Sequence, residues 1–327
     1  MSDPQGNDLI ALGEQIVERA RAAGADVAEA SVRTGSHLSA KVRMGEPELV
    51  EEAGSRAVGL RVIRGQQVAV TYTSDLTEHG IQRFIEDAME LAALSQPDEF
   101  AGPPDAALLS RREQHADLDL FDPHSDRLDA AGAIALATEG ESAARAFDPR
   151  ITNSEGASAS RMSGATALVT SGGFRGASRG TYSSLVVNPL AEDADGKKRT
   201  GHYWTAKRHA GEMENAKFVG QEAARRTIAK LGARKIETQD VAVIFDPDAA
   251  RSLVGLIAGC VMGGSVWRKS TYMANREGTR VASDLVTIID DPLLPRAPGS
   301  RPFDGEGLLS RRNVVIESGV LKTFLLD

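Results

Sequence analysis

Apolar residues along the first hundred positions change period twice. Leu9, Leu12, Ile16, Val17 and Ala20 recur at spacings of three and four, which predicts a helix closed by Gly24. The period then drops to two. A run at Val27–Arg33 is followed by alternation at Leu38, Ala40, Val42 and Met44, then at Val58, Leu60 and Val62. Arg64-Gly65-Gln66 turns the chain into Val68, Val70 and Tyr72. A second helical stripe follows at Ile81, Phe84, Ile85, Ala88 and Leu91, with Asp75 and Glu78 at capping-box spacing ahead of it. Helix, mostly antiparallel sheet and helix together predict an α+β layer pair.

Beyond it, residues 96–125 are rich in Pro, Asp and Ala and read as a surface linker. A third helix is predicted over Asp126–Phe147. From Ile151 to about Ala206 the chain is Ser/Gly/Thr-rich, with alternation at Thr166, Leu168 and Thr170 and a run at Leu185-Val186-Val187. That predicts a long, exposed antiparallel ribbon reaching away from the N-terminal domain. Met213–Leu231 reads as a fourth helix ended by Gly232. Val241–Phe245, short and β-branched, predicts a buried strand. Asp246 is placed to cap a helix with Pro247 at its first position, and Leu253, Val254, Leu256, Ile257, Cys260 and Val261 make that helix a buried one. Gly263-Gly264 ends it, and Trp267-Arg268-Lys269-Ser270 follows as a polar loop. Strands are expected at Leu285–Ile289, Val314–Glu317 and Leu321–Leu326, the last two joined across Ser318-Gly319. The expected organisation is an N-terminal α+β domain (1–95), a linker (96–125), a helix with the extended β region (126–235) and a C-terminal mixed α/β domain (236–327) that reads as truncated.

Composition narrows the function. The chain has 327 residues, a formal net charge of −8 and 5% aromatics, which argues against a general nucleic-acid binder. A single cysteine excludes an internal disulfide, and the N-terminus shows no basic segment followed by an apolar core. The longest apolar stretch, Leu253–Met262, is far short of the roughly 20 residues a membrane span needs. These features point to a cytoplasmic protein with neither nucleic-acid nor membrane partners.

Few residues offer chemistry. Asp304 and Glu306 are two apart, a spacing that shares one face on a strand, although turns at Gly305 and Gly307 account for them more simply. Arg268, Lys269 and Ser270 can meet a peptide carboxylate or a partner's acidic patch. Cys260, with no His or Glu at helical spacing, reads as a small core residue. His115 and His124 are expected to be solvated in the linker, His37 and His79 at exposed polar positions. His202 and His209, seven apart, make a poor metal pair. No Walker A loop, GxGxxG or GxSxG occurs.

The segment Asp246-Pro247-Asp248-Ala249-Ala250 resembles the DPxAA sequence that precedes the zinc-binding HExxxH of TldD in the TldD/PmbA family. Here the six motif positions read Gly255-Leu256-Ile257-Ala258-Gly259-Cys260, so both histidines and the glutamate are replaced. Gly59–Leu76 resembles a hairpin of the family's first domain. Asp304-Gly305-Glu306-Gly307 with Ile316-Glu317-Ser318-Gly319-Val320-Leu321 resembles its DxEG…IExGxL signature. The resemblance implies a TldE (PmbA)-like member with no catalytic or metal-binding residue of its own. It further implies a TldD-like partner that carries the zinc, and unfolded peptide as the substrate of the heterodimer. The family's TldE-type pattern continues past Asp327, so the resemblance also implies a fragment or a natural truncation; TldD's remaining zinc ligand, a cysteine, lies in that further part. A homodimeric peptide-binding or scaffold protein is the alternative, and an independent hydrolase using Asp304, Glu306 or Cys260 a third.

Overall fold

In the computed structural model, residues 4–326 are described. The chain divides into two units, Met1–Ala233 with Leu294–Ser310 and Arg234–Leu293 with Arg311–Asp327. The first is built on one antiparallel sheet. Its strands are β1 (Val27–Arg43), β2 (Glu46–Arg64), β3 (Gln67–Thr73), β4 (Ile151–Thr170), β5 (Arg175–Glu192), β6 (Lys198–Thr200) and β7 (Tyr203–Lys207). They lie in the order β3-β2-β1-β4-β5-β6, with β7 also paired to β5. Four helices accompany it: α1 (Pro4–Ala22), α2 (Glu78–Leu94), α3 (Ala130–Arg145) and α4 (Ala216–Ile228).

The period of two decides which face is buried. On β1 the even positions Ala28, Ala30, Val32, Leu38, Ala40 and Val42 are all buried. The first three join α1 and α2 in one core with Val58, Leu60 and Val62 of β2 and Ala165, Ala167 and Val169 of β4. The last three join a second core with Ala157 and Ala159 of β4, Leu185 and Val187 of β5, and α3 and α4. Both helix pairs therefore cover the same face of the sheet.

Two expectations change here. The first two predicted strands are one, because β1 runs unbroken through Thr34–His37 with partners on both sides. The Ser/Gly-rich ribbon is not held away from the N-terminal sheet, since β4 pairs with β1 from Ala157 to Thr170. Nor is it exposed on both faces. On β4 much of the core side is alanine (Ala157, Ala159, Ala165 and Ala167), which low hydrophobicity conceals but close packing requires. Helix α2 is capped by Thr77, whose Oγ1 accepts from Gly80 N–H at 3.1 Å, while Asp75 accepts from Thr77 N–H.

Helices α3 and α4 approach to backbone contact. A Cβ at Gly220 would lie 2.1 Å from Gly140 O and 3.0 Å from Ala143 Cβ. One residue on, the buried Glu141 carboxylate accepts from the N–H groups of Met44 (2.9 Å) and Gly45 (2.7 Å). Those two residues form the β1–β2 turn with φ of 53° and 86°, as a type I′ hairpin demands. Helix α3 thus holds the hairpin tip.

The second unit contains α5 (Pro247–Val261), α6 (Gly263–Trp267), β8 (Ile288–Asp290), β9 (Asn313–Glu317) and β10 (Val320–Leu321). Val261, Met273, Val315, Ile316 and Leu321 form its small core. The expected strand at Val241–Phe245 is irregular and exposed, with Ile244 at 99%. No described strand lies beside it, so its backbone groups are left to water and β propensity alone makes no strand. Helix α5 starts where expected, with Asp246 as N-cap, yet only Val261 is fully buried. The short α6 occupies positions expected to be non-helical; β9 covers the expected Val314–Glu317, whereas β8 and β10 are shorter than the strands expected at Leu285–Ile289 and Leu321–Leu326.

Replacing Gly220 by alanine should lower stability by about 1–3 kcal/mol, because neither backbone can withdraw without opening the Ala-rich core. Thermal unfolding followed by circular dichroism measures it; an unchanged midpoint would contradict the α3–α4 contact.

Candidate functional site

Helix α5 carries the positions at which the sequence pattern sought a metal centre. It is regular, so Gly255 and Cys260 point about 140° apart. Nothing lies within 4 Å of a Cβ placed on Gly255, and Leu256 is 69% exposed. Cys260 turns the other way, packing with Ile257 against the small core. The expected burial of Leu253, Val254 and Leu256 is thus not found, since the core reaches only the Ile257–Cys260–Val261 side. Gly255 stands apart from Cys260 around the helix, and the three motif positions offer one sulfur between them. Among the described residues, no group of three or more His, Cys, Asp or Glu is placed to hold a metal ion.

Arg268, Lys269 and Ser270 end α6 in a Schellman motif. Ser270 N–H donates to Ser265 O and Lys269 N–H to Val266 O, both at 3.0 Å, and Ser270 Oγ adds a bond to Ser265 O at 3.2 Å. Lys269 sits at φ 53°, a position that usually holds glycine. All three side chains are exposed, and neither cation forms an ion pair among the described residues.

Asp304 and Glu306 lie in the other unit. They form a turn and not a strand face: Asp304 Oδ1 accepts from Glu306 N–H and Leu308 N–H at 2.9 Å, and Gly307 has φ 89°. Against this turn packs a group that sequence reasoning missed. His115, expected to be solvated, stacks at 4.9 Å on Phe303, which meets Phe174 edge-on at 5.0 Å. Ser110 Oγ donates to Gly307 O at 2.8 Å. A hydroxyl has one proton, so His115 Nε2, 2.9 Å away, is the donor to Ser110 Oγ. The pair is a latch, because the imidazole does not accept the serine proton. Burial, assisted by Arg112 and opposed by Glu113, holds the His115 pKa below its ordinary value. The three segments are far apart in sequence, and no periodicity connects them. Elsewhere His209 is bound to Asp119, whereas His202 and His124 are exposed.

Three sequence profiles of the PmbA/TldA metallopeptidases match the chain: domain 1 over residues 28–92, the central domain over 123–231 and the C-terminal domain over 238–327. It is 34% identical over 301 residues to metalloprotease PmbA of Escherichia coli O157:H7, an overlap of 92% of this chain and 66% of that protein. It is 33% identical over 310 residues to a PmbA homologue of Haemophilus influenzae, covering 95% and 67%. The chain belongs to the PmbA/TldD metallopeptidase family. It is PmbA-like within that family and spans about two thirds of the length of these relatives. The PmbA/TldD fold is also recovered in crystal structures. One, described as a proposed modulator of DNA gyrase from Bacteroides thetaiotaomicron, is 22% identical with a TM-score of 0.91 over 97% of this chain and 71% of that one. TldE of Thermococcus kodakarensis is 17% identical, with a TM-score of 0.79 over 97% and 70%. The shared architecture is α+β with a large, curled antiparallel sheet. No helix of the described residues is long and apolar enough to cross a membrane.

Replacing Lys269 by glycine should stabilise the second unit by about 1 kcal/mol through relief of the left-handed backbone, less what glycine adds to unfolded-state entropy. Hydrogen exchange of the Lys269 and Ser270 amides reads it, and faster exchange in the variant would contradict the assignment. His115 generates a pH expectation. Its folded pKa lies below the ordinary 6.5, so the unfolded chain takes up the proton first as pH falls. The neutral imidazole's contribution is therefore complete above about pH 6.5 and is lost as pH falls towards the lowered value. Proton NMR should show the His115 ring protons titrating below the ordinary 6.5.

Proposed function

We propose that this chain is a TldE-like subunit without a catalytic metal of its own. It acts beside a TldD-like zinc metallopeptidase in cytoplasmic proteolysis or peptide maturation. The observation that carries the reading is the donor set on helix α5, where Gly255, Leu256 and Cys260 stand in place of two histidines and a glutamate and offer one sulfur between them. A catalytic zinc needs three protein ligands and a base nearby. Here one thiol faces the core and a glycine and a leucine face outwards. In this reading the subunit completes the chamber and holds unfolded peptide while the partner supplies zinc. Peptide holding draws support from the sheet edge. Strand β3 pairs only with Val58–Arg64, which leaves Glu46–Ala57 of β2 without a neighbour on that side among the described residues. Free main-chain groups there suit the addition of an extended peptide. Arg268, Lys269, Ser270, Asp304 and Glu306 are the proposed peptide or partner contacts.

The test is co-expression with an HExxxH-bearing homologue, followed by size exclusion, metal analysis and cleavage of an unfolded peptide. The chain alone should elute without stoichiometric zinc and leave the peptide intact. Together the two chains should co-elute and cleave in a chelator-sensitive manner. Self-association with peptide binding but no effect on the homologue would favour a homodimeric scaffold. Chelator-sensitive cleavage that tracks the isolated chain would refute the proposal.

A further inference from the structure

Arg208 follows β7 and lays its guanidinium against β5 at Gly180. A Cβ at Gly180 would be 2.8 Å from Arg208 Nη1, so the guanidinium fills space that only glycine leaves. The groups that fix it are neutral. Nη1 donates to Thr181 O at 3.4 Å, Nη2 donates to Pro298 O at 2.8 Å, and the Tyr182 ring lies 5.8 Å from the guanidinium carbon. Nε is buried and has no hydrogen-bond partner. No carboxylate pairs with Arg208 among the described residues.

Its neighbours show the contrast. Arg296 is bound by both Asp119 and Glu212, so the Glu212 carboxylate is turned to Arg296 and not to Arg208. Lys207, next in sequence to Arg208, is exposed and forms no ion pair among the described residues. Arg208, Lys207, Arg296, Glu212 and Tyr182 line one cavity of about 420 Å³. Arg208 and Lys207 thus have no carboxylate partner of their own among the described residues, the cluster with Asp119 keeps a net positive charge, and Arg208 is partly desolvated and short of a hydrogen bond. A cation taken from water without a counter-charge is unfavourable until an anion joins it. The planar guanidinium suits a carboxylate, which accepts from two of its N–H groups at once.

We infer that the Arg208–Lys207 cavity is a binding site for the carboxylate group of a peptide, either its C-terminus or an acidic side chain. Only the peptide as source rests on the function proposed above; the anion site rests on the cavity itself. Arg208 holds the carboxylate through its unused N–H groups, Lys207 adds charge from the rim, and Tyr182 limits access of water to one side.

Titration of the full chain with N-acetylglycine and with N-acetylglycinamide tests this, the Arg208 Nε–H resonance being followed by ¹H–¹⁵N NMR and assigned by its loss in Arg208→Lys. The acid should shift that resonance saturably and the amide should leave it in place. Arg208→Gln should bind the acid at least tenfold more weakly. Equal shifts by acid and amide, no shift by either, or undiminished binding of the acid by Arg208→Gln would each overturn the site. The NMR comparison uses the wild-type chain and so stands even if a variant fails to fold. Three labelled ten-residue Gly/Ser peptides then separate the sources: one with a free C-terminus, its amide, and the amide with one internal glutamate. Tighter binding of the first identifies the C-terminus, and of the third the side chain. A saturable acid shift with no binding of any peptide upholds the anion site and refutes peptide holding. Equal binding of all three peptides, with no acid shift, does the reverse.

Discussion

Strand β1 is the member on which the first unit depends. From Glu29 to Val42 it is hydrogen-bonded on both sides, to β2 and to β4, in one nearly uninterrupted register. Register in a sheet is a choice between faces, because a slip of one residue would turn Ala30, Val32, Leu38 and Ala40 away from the helices. Two cores sit on the same side of this strand, one towards each end, so both enforce the same register. The chain that joins them, Thr34–His37, lacks apolar side chains on the core face, yet stays extended because its backbone is paired on each side.

Small residues make that arrangement close. Helices α3 and α4 bring Ala133, Ala137, Ala144, Ala216, Ala223 and Ala224 to a sheet that answers with Ala157 and Ala159. Such a core gains less from each side chain than one of leucines, and depends more on close approach of backbones, as Gly140 and Gly220 show. It also leaves room for a buried carboxylate. Glu141, between those layers, reaches the β1–β2 turn and satisfies two N–H groups that the left-handed conformations of Met44 and Gly45 direct inwards. The turn is thereby tied to the helix layer, and the open edge of β2 begins directly after it.

The second unit follows a different balance. Its core is a handful of residues, and α5 contributes to it along one narrow side. Leu253, Val254, Leu256, Trp267 and Tyr272 stay exposed around it. The electrostatics of the first unit are likewise uneven. Arg296 has the carboxylates of Asp119 and Glu212, whereas Arg208 has carbonyls and a ring. An arginine held in place by neutral groups is poised for a charge that comes from elsewhere.

How much of this was legible in the sequence depends on distance along the chain. Local signals sufficed for the helix start at Asp246, whose side chain accepts an N–H from its own first turn, and brought the starts expected at Asp126 and Met213 close to the caps Asp129 and Asn215. They also sufficed for the turn at Gly65 and for the turn chemistry of Asp304, because these bonds close within a few residues. The replacement of HExxxH by Gly255, Leu256 and Cys260 was equally plain, since a missing ligand needs no fold to be missing. Burial was not local. Alanine and serine carry too little hydrophobicity to reveal that β4 has a core face along most of its length, and Val241–Phe245 carries too much to reveal that no described strand pairs with it. Neither the His115–Phe303–Phe174 stack nor the Arg208 cavity leaves a trace in any window of sequence. Their parts come from segments separated by up to about two hundred residues and meet only because the sheet and its loops bring them together.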